Sequence, residues 1–290
     1  MRILGLTTCH NRRETTLRAL SSLEGQILPE NTYLHVCIVD DASDDNTASA
    51  VRSAFPEVTI VHGTGDLFWA GGMRFGWQQY AVSADFDYLL AFNDDVELFP
   101  DALQRLLTTA AVVEDDGCTA HSVSGALMDP DTGRTTYGGV VRRSWWHPLR
   151  FERLDPQDRP LECSTLNMNC ALISRHALSL TGFLASEFKH KRADYDFGLR
   201  LRDLDGRVVL APGYVGKCRR NNSNDQPEPT DVAFSEAWRQ LTGVKKQPPR
   251  ERATFFRRHA GRLWPIYWIL PYLRIALVHA WHSLRRGWKS

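Results

Sequence analysis

The stretch LLAFNDDVELFP, from Leu89 to Pro100, places two adjacent carboxylates directly after an apolar run. The run predicts a buried strand, and Asn93, Asp94 and Asp95 follow its end. Adjacent carboxylates repel each other unless a cation lies nearby. Hard divalent cations take oxygen ligands, and Mg²⁺ is often held by one or two carboxylates together with the phosphates of a nucleotide. We therefore expect a divalent metal, Mg²⁺ or Mn²⁺, beyond the end of this strand.

Strand-like and helix-like segments alternate on both sides of this stretch. Apolar runs predict strands at 2–8, 34–39, 58–62, 88–92, 169–174 and 208–211. Helices are predicted after the capping-box pattern Asn11-x-x-Glu14, at 45–55, at 72–84, from Pro100 onward and at 194–204. Helical spacing predicts that these apolar side chains face inward: Leu17, Leu20, Leu23, Leu103, Leu106, Leu107, Ala110, Ala111, Phe197, Leu201 and Leu204. The rhythm predicts an α/β layer sandwich with a mostly parallel central sheet, in which ligands bind beyond the carboxyl ends of the strands.

The motif CIVDDASDDNT, from Cys37 to Thr47, is a second apolar strand that ends in carboxylates. Asp40 and Asp41 precede the turn, where a carboxylate can accept hydrogen bonds from a ribose diol or a base N–H. Asp44 or Asp45 is instead predicted to cap the next helix. Capping does not account for the first two carboxylates, and two acidic strand ends together favour a ligand site.

A glycine-rich segment, GTGDLFWAGGMRFGW, covers Gly63 to Trp77. Gly71, Gly72 and Gly76 allow a close approach of the backbone to a ligand, and a helix N-terminus favours an anionic group. The alternative is that the glycines serve a tight turn and close packing of a helix.

The segment KHKRADYDFGLRLRDLDG, from Lys189 to Gly206, places Asp194 near the predicted start of a helix. A carboxylate there can act as general base toward a sugar hydroxyl. The alternative is purely structural: Asp194 caps the helix, and Asp196 pairs with Arg200 at i, i+4.

Cysteine usage and the first residues favour an intracellular protein. The six cysteines are scattered, with none of the close pairs of a zinc site. The apolar run after Met1-Arg2 ends by Thr8, which is too short for a signal peptide. We expect reduced thiols and a cytoplasmic location.

Charge is distributed unevenly along the chain. Of 35 basic and 34 acidic residues, nine basic and one acidic residue lie from Arg250 onward, which leaves 26 and 33 before it. A basic tail on an acidic body predicts contact with something anionic. The organisation predicted is a catalytic domain at 1–220, a flexible linker with a short helix at 221–250, and a basic, aromatic-rich helical segment at 251–290.

That segment carries the apolar run Leu263 to Trp281, in which 15 of 19 residues are apolar. A membrane-spanning helix needs about 20 mostly apolar residues. This run is shorter, carries Arg274, and contains Pro265 and Pro271. Basic and aromatic flanks favour a segment that lies on the cytoplasmic face of an anionic membrane as a peripheral contact. The alternative is a hairpin that packs on its own domain or on a dimer partner.

Together these segments resemble the family 2 glycosyltransferases of the GT-A fold. The chain is most similar to the bacterial branch of rhamnosyltransferase- and galactofuranosyltransferase-like enzymes. The likeness covers roughly residues 1–220 and rests on seven motifs in the same order: TTCHNR, VDDASDDNT, GDLFWAGGMRFG, NDDVELFPDAL, LNMNCALI, ADYDFGLR and APGYVGKC. It implies a Rossmann-like layer sandwich of GT-A type.

The resemblance implies a role for individual residues. It assigns the nucleotide and donor site to Thr8, Asn11, Asp40, Asp41, Trp69, Gly71, Gly72, Asn93 and Asp94. Within that set Asp40 lies near the base or ribose, and the tryptophan and two glycines match a loop over the donor. Asp95 matches the metal-holding member of the family's Asp-x-Asp motif, and Asp194 matches its general base.

Two positions depart from the family pattern. Asn93 stands where the first Asp of the motif is expected, so it brings hydrogen bonds but no charge. Cys218 stands where some relatives place a His ligand, and a thiol is a poor ligand for Mg²⁺ or Mn²⁺.

The function implied is inverting transfer of a sugar from a UDP- or dTDP-linked donor to a hydroxyl of a glycan or lipid-linked acceptor, in cell-surface polysaccharide synthesis. No nucleic acid partner is expected. One alternative is a catalytically impaired binding protein of the same fold. A nucleotidyltransferase is disfavoured because Thr8-Cys9-His10-Asn11, and no glycine-rich basic loop, follows the first strand. The absence of a Gln-x-x-Arg-Trp motif disfavours a processive synthase. Trp145 and Trp146 either stack on a sugar ring or pack locally.

Overall fold

The apolar runs of the N-terminal half form neighbouring strands of one sheet in the computed structural model. The structure describes residues 1–144, 147–220, 232–243 and 248–287, with side chains up to residue 281. Trp145 and Trp146, and the linker residues 221–231 and 244–247, lie outside the described residues. The described chain divides into two units: residues 1–142 with 151–220, and residues 143–150 with those from 221 onward.

The strands all belong to the first unit. They are β1 (Arg2–Cys9), β2 (Tyr33–Asp40), β3 (Thr59–His62), β4 (Tyr88–Phe92), β5 (Glu97–Leu98), β6 (His121–Met128), β7 (Thr135–Tyr137), β8 (Gly139–Arg142), β9 (Phe151–Arg153), β10 (Leu161–Glu162), β11 (Thr165–Leu166), β12 (Cys170–Ser174) and β13 (Arg207–Lys217).

The first six helices belong to the same unit. They are α1 (Arg13–Glu24), α2 (Thr47–Ala54), α3 (Phe68–Gln79), α4 (Ala102–Asp115), α5 (Arg175–Thr181) and α6 (Ala193–Asp203). The second unit contains α7 (Phe234–Thr242), α8 (Pro249–His259) and α9 (Trp264–Gly287). Short 3₁₀ turns occur at Ala81–Ser83 and Gly261–Leu263.

The central sheet has the strand order β10-β13-β6-β12-β4-β1-β2-β3, with β5 and β7 attached to its path. Strand β1 is parallel to both of its neighbours, β2 and β4, and β2 is parallel to β3. The chain therefore builds outward from β1 in one direction and then returns to its other side with β4. Such a reversal of strand order opens a crevice at the carboxyl ends of the two strands.

The sheet is mixed beyond β4. Strand β12 is antiparallel to both β4 and β6, and β13 is parallel to β6. A separate three-stranded sheet has the order β11-β8-β9. The predicted α/β layer fold is confirmed, and its parallel part is the half that carries the acidic motifs.

Strand β6 was missed in the sequence because polar residues interrupt its apolar run. Ser122 and Ser124 are fully buried, as are their apolar neighbours Val123 and Ala126. Strand β13 is longer than the predicted 208–211, because a register shift between Leu210 and Tyr214 accommodates the intervening Pro and Gly.

Four local predictions were wrong. The capping box fails because Asn11 is left-handed, with φ 52°, and its side chain accepts a hydrogen bond from Asp44 N instead. Helix α3 begins at Phe68, four residues before the predicted start, so the glycine pair lies within the helix. Leu204 is 49% exposed at the end of α6, and Ala111 is exposed on α4.

Helices α7 and α8 of the second unit both pack against α9. Phe255 and Phe256 of α8 are buried, as are Tyr272 and Ile275 of α9. Helix α9 continues through Pro271 as one element. Within the described residues, none of the helices combines the length and the apolar character that crossing a bilayer requires. All six cysteines of the chain are free.

The adjacent glycines of α3 provide a matched test of helix packing. A Cβ on Gly72 would lie 2.8 Å from the Cβ of Thr8 and closer still to its hydroxyl, whereas a Cβ on Gly71 would meet its nearest atom at 3.6 Å. We expect Gly72→Ala to lower the free energy of unfolding by about 1–3 kcal/mol through overpacking. Gly71→Ala should be neutral or raise it by up to about 1 kcal/mol. Urea unfolding measures both, and equal effects would contradict this packing role.

Candidate active site

A single guanidinium joins the ends of β1 and β4. Arg12 lies just after β1, and its Nη1 is 3.0 Å from Asp94 Oδ1 and 2.8 Å from Asp95 Oδ2. The side chains of the two carboxylates are only 9% and 15% exposed, against 40% for the arginine. Because these strands flank the reversal of strand order, the cluster lies at the crevice of the sheet.

Burial dominates the electrostatics of this cluster. It raises the pKa of Asp94 to about 6, although Arg12 acts in the opposite direction. Cys218 lies directly after β13, and its Sγ donates a hydrogen bond to Asp95 Oδ1 at a distance of 3.5 Å. Burial and the neighbouring Asp95 raise the pKa of this thiol, so it stays neutral. The thiol therefore lies beside the carboxylate that the family pattern pairs with a metal.

The two carboxylates fit a divalent cation in one respect. Oxygens of Asp94 and Asp95 converge on one point, which the nitrogen of Arg12 occupies as a stand-in cation. Within the described part of the chain, no group of three or more His, Cys, Asp or Glu residues is placed to hold a metal. A metal here would therefore draw its other ligands from phosphates and water, as Mg²⁺ does in nucleotide sites.

Asp40 and Asp41 are both buried at the end of β2, at 4% exposure each. Asp40 Oδ1 accepts a hydrogen bond from Ser43 N at 3.2 Å. The carboxylate of Asp41 accepts two backbone hydrogen bonds, from Gly65 N at 2.7 Å and Leu67 N at 2.9 Å. The second carboxylate thus holds the segment that leads into α3.

In the acidic pair farther along this motif, Asp45 bonds the starts of two helices, although the N-cap position of α2 is Asn46 and not the predicted Asp44 or Asp45. Asp45 accepts hydrogen bonds from Thr47 N, at the start of α2, and from Arg13 N, at the start of α1. The same carboxylate satisfies the first turns of two helices. Asn11 completes this arrangement by accepting from Asp44 N, and it thereby ties the loop after β1 to the loop after β2.

The N-terminus of α3 is joined to β4 and to the segment before α6. Trp69 Nε1 donates to Asn93 Oδ1 at 2.9 Å, so the asparagine of the strand-end triplet has a protein partner. Ala70 N and Gly71 N both donate to Lys189 O. These first-turn N–H groups are therefore engaged within the protein rather than presented to an anion.

Gly72 and Gly76 of α3 serve packing, which was the alternative interpretation of this segment. Gly72 lies against Thr8 of β1, and a Cβ on Gly76 would come within 2.8 Å of both Val39 and Leu6. Residues 68–79 form a helix rather than a loop, because the close contact of helix and sheet requires Gly72 and Gly76.

Asp194 lies in the first turn of α6 but does not cap it, since the cap position is Arg192. Its Oδ1 accepts from Tyr195 N at 2.8 Å and its Oδ2 from the side chain of Asn167 at 3.4 Å. Burial raises the pKa of Asp194 to about 6, against these two hydrogen bonds. A carboxyl group whose pKa lies this close to neutral pH suits general base chemistry.

Asp196, two residues after Asp194, has a structural role. Asp196 is fully buried and pairs with Arg200 Nε at 2.7 Å, as the i, i+4 spacing predicted. Among the described residues, Asp196 is thus neutralised by an ion pair, whereas Asp194 has no ion-pair partner.

A short segment connects the strand-end triplet with Asp194. Asn167 holds the carboxylate of Asp194, and two residues later Asn169 O accepts a hydrogen bond from Asn93 N at 3.1 Å. Two residues of extended chain span at most about 7 Å. Both groups are thereby fixed to one short stretch before β12.

Three residues of this site were given no role by the sequence. Arg12, Asn167 and Asn169 lie within the quoted motifs TTCHNR and LNMNCALI. A basic residue directly after β1 is a signal for the first, since an acidic pair follows the neighbouring strand. Two asparagines before a buried strand are a weaker signal for the others.

Comparison with known proteins identifies similarity to glycosyltransferases in each case. Residues 6–180, more than half of the chain, match the family model described as Glycosyl transferase family 2. The chain is also similar to the N-acetylglucosaminyl-diphospho-decaprenol L-rhamnosyltransferases of two Mycobacterium tuberculosis strains, CDC 1551 / Oshkosh and ATCC 25618 / H37Rv. Each is 24% identical over 218 residues, which cover 67% of this chain and 68% of the relative.

A solved structure shares the fold. The mannosyltransferase PcManGT from Pyrobaculum calidifontis, in complex with GDP-Man and Mn²⁺, matches with a TM-score of 0.59 and 16% sequence identity. The match covers 98% of this chain and 75% of that one.

Proposed function

This chain is a glycosyltransferase that belongs to glycosyl transferase family 2, and from that premise we propose that it transfers a sugar from a nucleoside diphosphate donor to a hydroxyl of a lipid-linked glycan. The observation that carries the proposal is the convergence of Asp94 and Asp95 on one cationic point at the crevice between β1 and β4. That crevice is where an α/β sheet of this order binds its ligand.

The leaving group of such a reaction is a nucleoside diphosphate, whose charge must be stabilised. A divalent cation on Asp95 and Asp94 would supply that charge when bound together with the donor. The comparison structure holds Mn²⁺, and Mg²⁺ is the alternative. We place the nucleoside near Thr8 and Asp40, at the ends of β1 and β2, and assign Asp41 and Asn11 to holding the loops around it.

The acceptor is activated by Asp194 in this proposal. Its carboxylate takes the proton of the acceptor hydroxyl, whose oxygen forms a bond to the anomeric carbon of the donor sugar. The oxygen attacks in line with the bond from that carbon to the diphosphate oxygen, which breaks with its electron pair. Because this is a single in-line displacement, the configuration at the anomeric carbon inverts. Asn167 and the N–H of Tyr195 hold the carboxylate in place.

The acceptor class that we propose is supported by the names of the relatives, whereas the donor class is the one that the motif resemblance implies. The mycobacterial relatives are named for rhamnosyl transfer to N-acetylglucosaminyl-diphospho-decaprenol. We propose an acceptor of that kind, a sugar on an isoprenoid diphosphate, within cell-surface polysaccharide synthesis. For the donor we propose a UDP- or dTDP-linked sugar.

We also propose a peripheral membrane contact through helix α9, on the cytoplasmic face where nucleotide sugars are available. Leu270, Leu273 and Leu277 follow one another at helical spacing and are 50%, 47% and 68% exposed. Exposed Arg274 lies among them. An apolar stripe with basic residues suits an anionic bilayer surface, on which a helix lies in the plane of the interface.

The role of Asp194 is tested by Asp194→Asn. We expect turnover to fall by about 10²–10⁴-fold, the usual contribution of a general base, while donor binding is retained. Turnover of the unaltered enzyme should fall as the pH is lowered through about 6, because the base becomes protonated. Steady-state kinetics with a panel of UDP-, dTDP- and GDP-linked sugars, and calorimetric titration of the donor, measure these effects.

Asp203→Asn is the matched control, since Asp203 is exposed at the end of the same helix. It should leave turnover unchanged. The asparagine at position 194 should not destabilise the fold, because an ionised carboxylate whose pKa is raised by burial costs stability at neutral pH. Full turnover in Asp194→Asn would rule out this role, and donor binding without turnover in the unaltered protein would favour the binding-protein alternative.

The membrane contact is tested by the double variant Leu273→Gln/Leu277→Gln. Each buried leucine side chain contributes about 1.5–3 kcal/mol, so we expect at least a tenfold loss of binding to vesicles of phosphatidylglycerol and phosphatidylcholine. Vesicle sedimentation measures this. Leu204→Gln, at a leucine that is 49% exposed directly after α6, should bind as the unaltered protein does. Equal binding by the double variant, or none by the unaltered protein, would contradict the proposal.

A further inference from the structure

Arg12 occupies the point at which the proposed metal would lie. Its Nη1 is within 3.0 Å of oxygens from both Asp94 and Asp95. Mg²⁺ binds carboxylate oxygens at about 2.0–2.1 Å. A divalent ion on both oxygens would therefore lie close to the guanidinium nitrogen, and the two positive charges would repel each other. The arginine and the metal are alternatives at this point.

We propose that Arg12 is an internal counter-cation, which neutralises Asp94 and Asp95 in the donor-free protein and moves to the donor's diphosphate when metal and donor bind. This inference rests on the proposed function, because it concerns the same site. It predicts that the metal binds weakly alone and more tightly together with the nucleoside diphosphate.

The arginine is built to move in this way. Its backbone is anchored, since Arg12 O accepts hydrogen bonds from Thr16 N and Thr15 Oγ1, both at 2.9 Å. Its side chain is 40% exposed and is held through Nη1 alone among the described residues. Nε and Nη2 therefore remain available to phosphate oxygens, which a guanidinium can bind in bidentate geometry.

The position of Asp94 and Asp95 gives a reason for an internal counter-cation. They are almost buried and adjacent, so an empty site without a cation would leave them repelling each other. Cys218 also bonds Asp95 but brings no charge. Arg12 thus neutralises the two carboxylates while the site is empty. Its release by one ligand favours binding of the other, so metal binding and donor binding are coupled by a free energy of interaction.

The test compares Arg12→Gln with Arg13→Gln. Arg13 is the matched control because it is adjacent, 49% exposed, and paired with Glu14 rather than with the strand-end carboxylates. Mn²⁺ alone is titrated into each protein, with free Mn²⁺ followed by electron paramagnetic resonance. UDP, dTDP and GDP are then titrated by calorimetry at saturating Mn²⁺.

We expect Arg12→Gln to bind Mn²⁺ alone about 3–10-fold more tightly and the matching nucleoside diphosphate about tenfold more weakly. Arg12→Lys should still bind Mn²⁺ alone weakly, because it retains the positive charge. It should also bind the nucleotide more weakly, because a lysine ammonium cannot make the bidentate contact of a guanidinium. Arg13→Gln should change neither affinity.

Opposite changes in the two affinities distinguish this role from a structural one, in which both would fall. Unchanged or weaker Mn²⁺ binding by Arg12→Gln would overturn the inference, even where sugar transfer is intact. Failure of the proposed function has a different signature, because the unaltered protein would then bind none of the three nucleotides with Mn²⁺.

Discussion

The repulsion between Asp94 and Asp95 is the constraint around which the site is arranged. Two nearly buried carboxylates at the end of a strand are costly unless a positive charge neutralises them. Arg12 supplies that charge from the neighbouring strand. An ion pair therefore links the end of β1 to the end of β4, in addition to the hydrogen bonds of the sheet. The two strand ends meet at the crevice where strand order reverses.

The surrounding elements hold this point in place. Asp41 fixes the segment before α3, and Asp45 accepts hydrogen bonds from the first residues of α1 and α2, so carboxylates tie the loops at the strand ends. Trp69 and Asn169 both bond Asn93, which fixes the first position of the triplet. The absence of a charge at that position is consistent with a role in hydrogen bonding. Asp194 is linked to the same assembly through Asn167 and retains a raised pKa for proton transfer.

The sequence was informative where one physical pattern dominates a segment. β4 was predicted at its observed bounds because its run is uninterrupted. The family was identified from seven motifs, of which the first five lie within the residues that the family model matches. β6 was missed because buried serines hide its apolar character. The start of α3 was misplaced because glycines indicate a loop locally, whereas here they allow a helix to contact Thr8. Arg12 was overlooked because its partners are 82 and 83 residues away and are brought to it only by strand pairing.

The central claim is that the strand-end carboxylates hold a cation that binds the donor's diphosphate. The most direct measurement is a crystal structure with Mn²⁺ and a nucleoside diphosphate, in which anomalous scattering locates the metal. The account predicts one Mn²⁺ on Asp95, bonded to the diphosphate at the crevice between β1 and β4. Mn²⁺ and diphosphate bound elsewhere, with Arg12 still on both carboxylates, would contradict it.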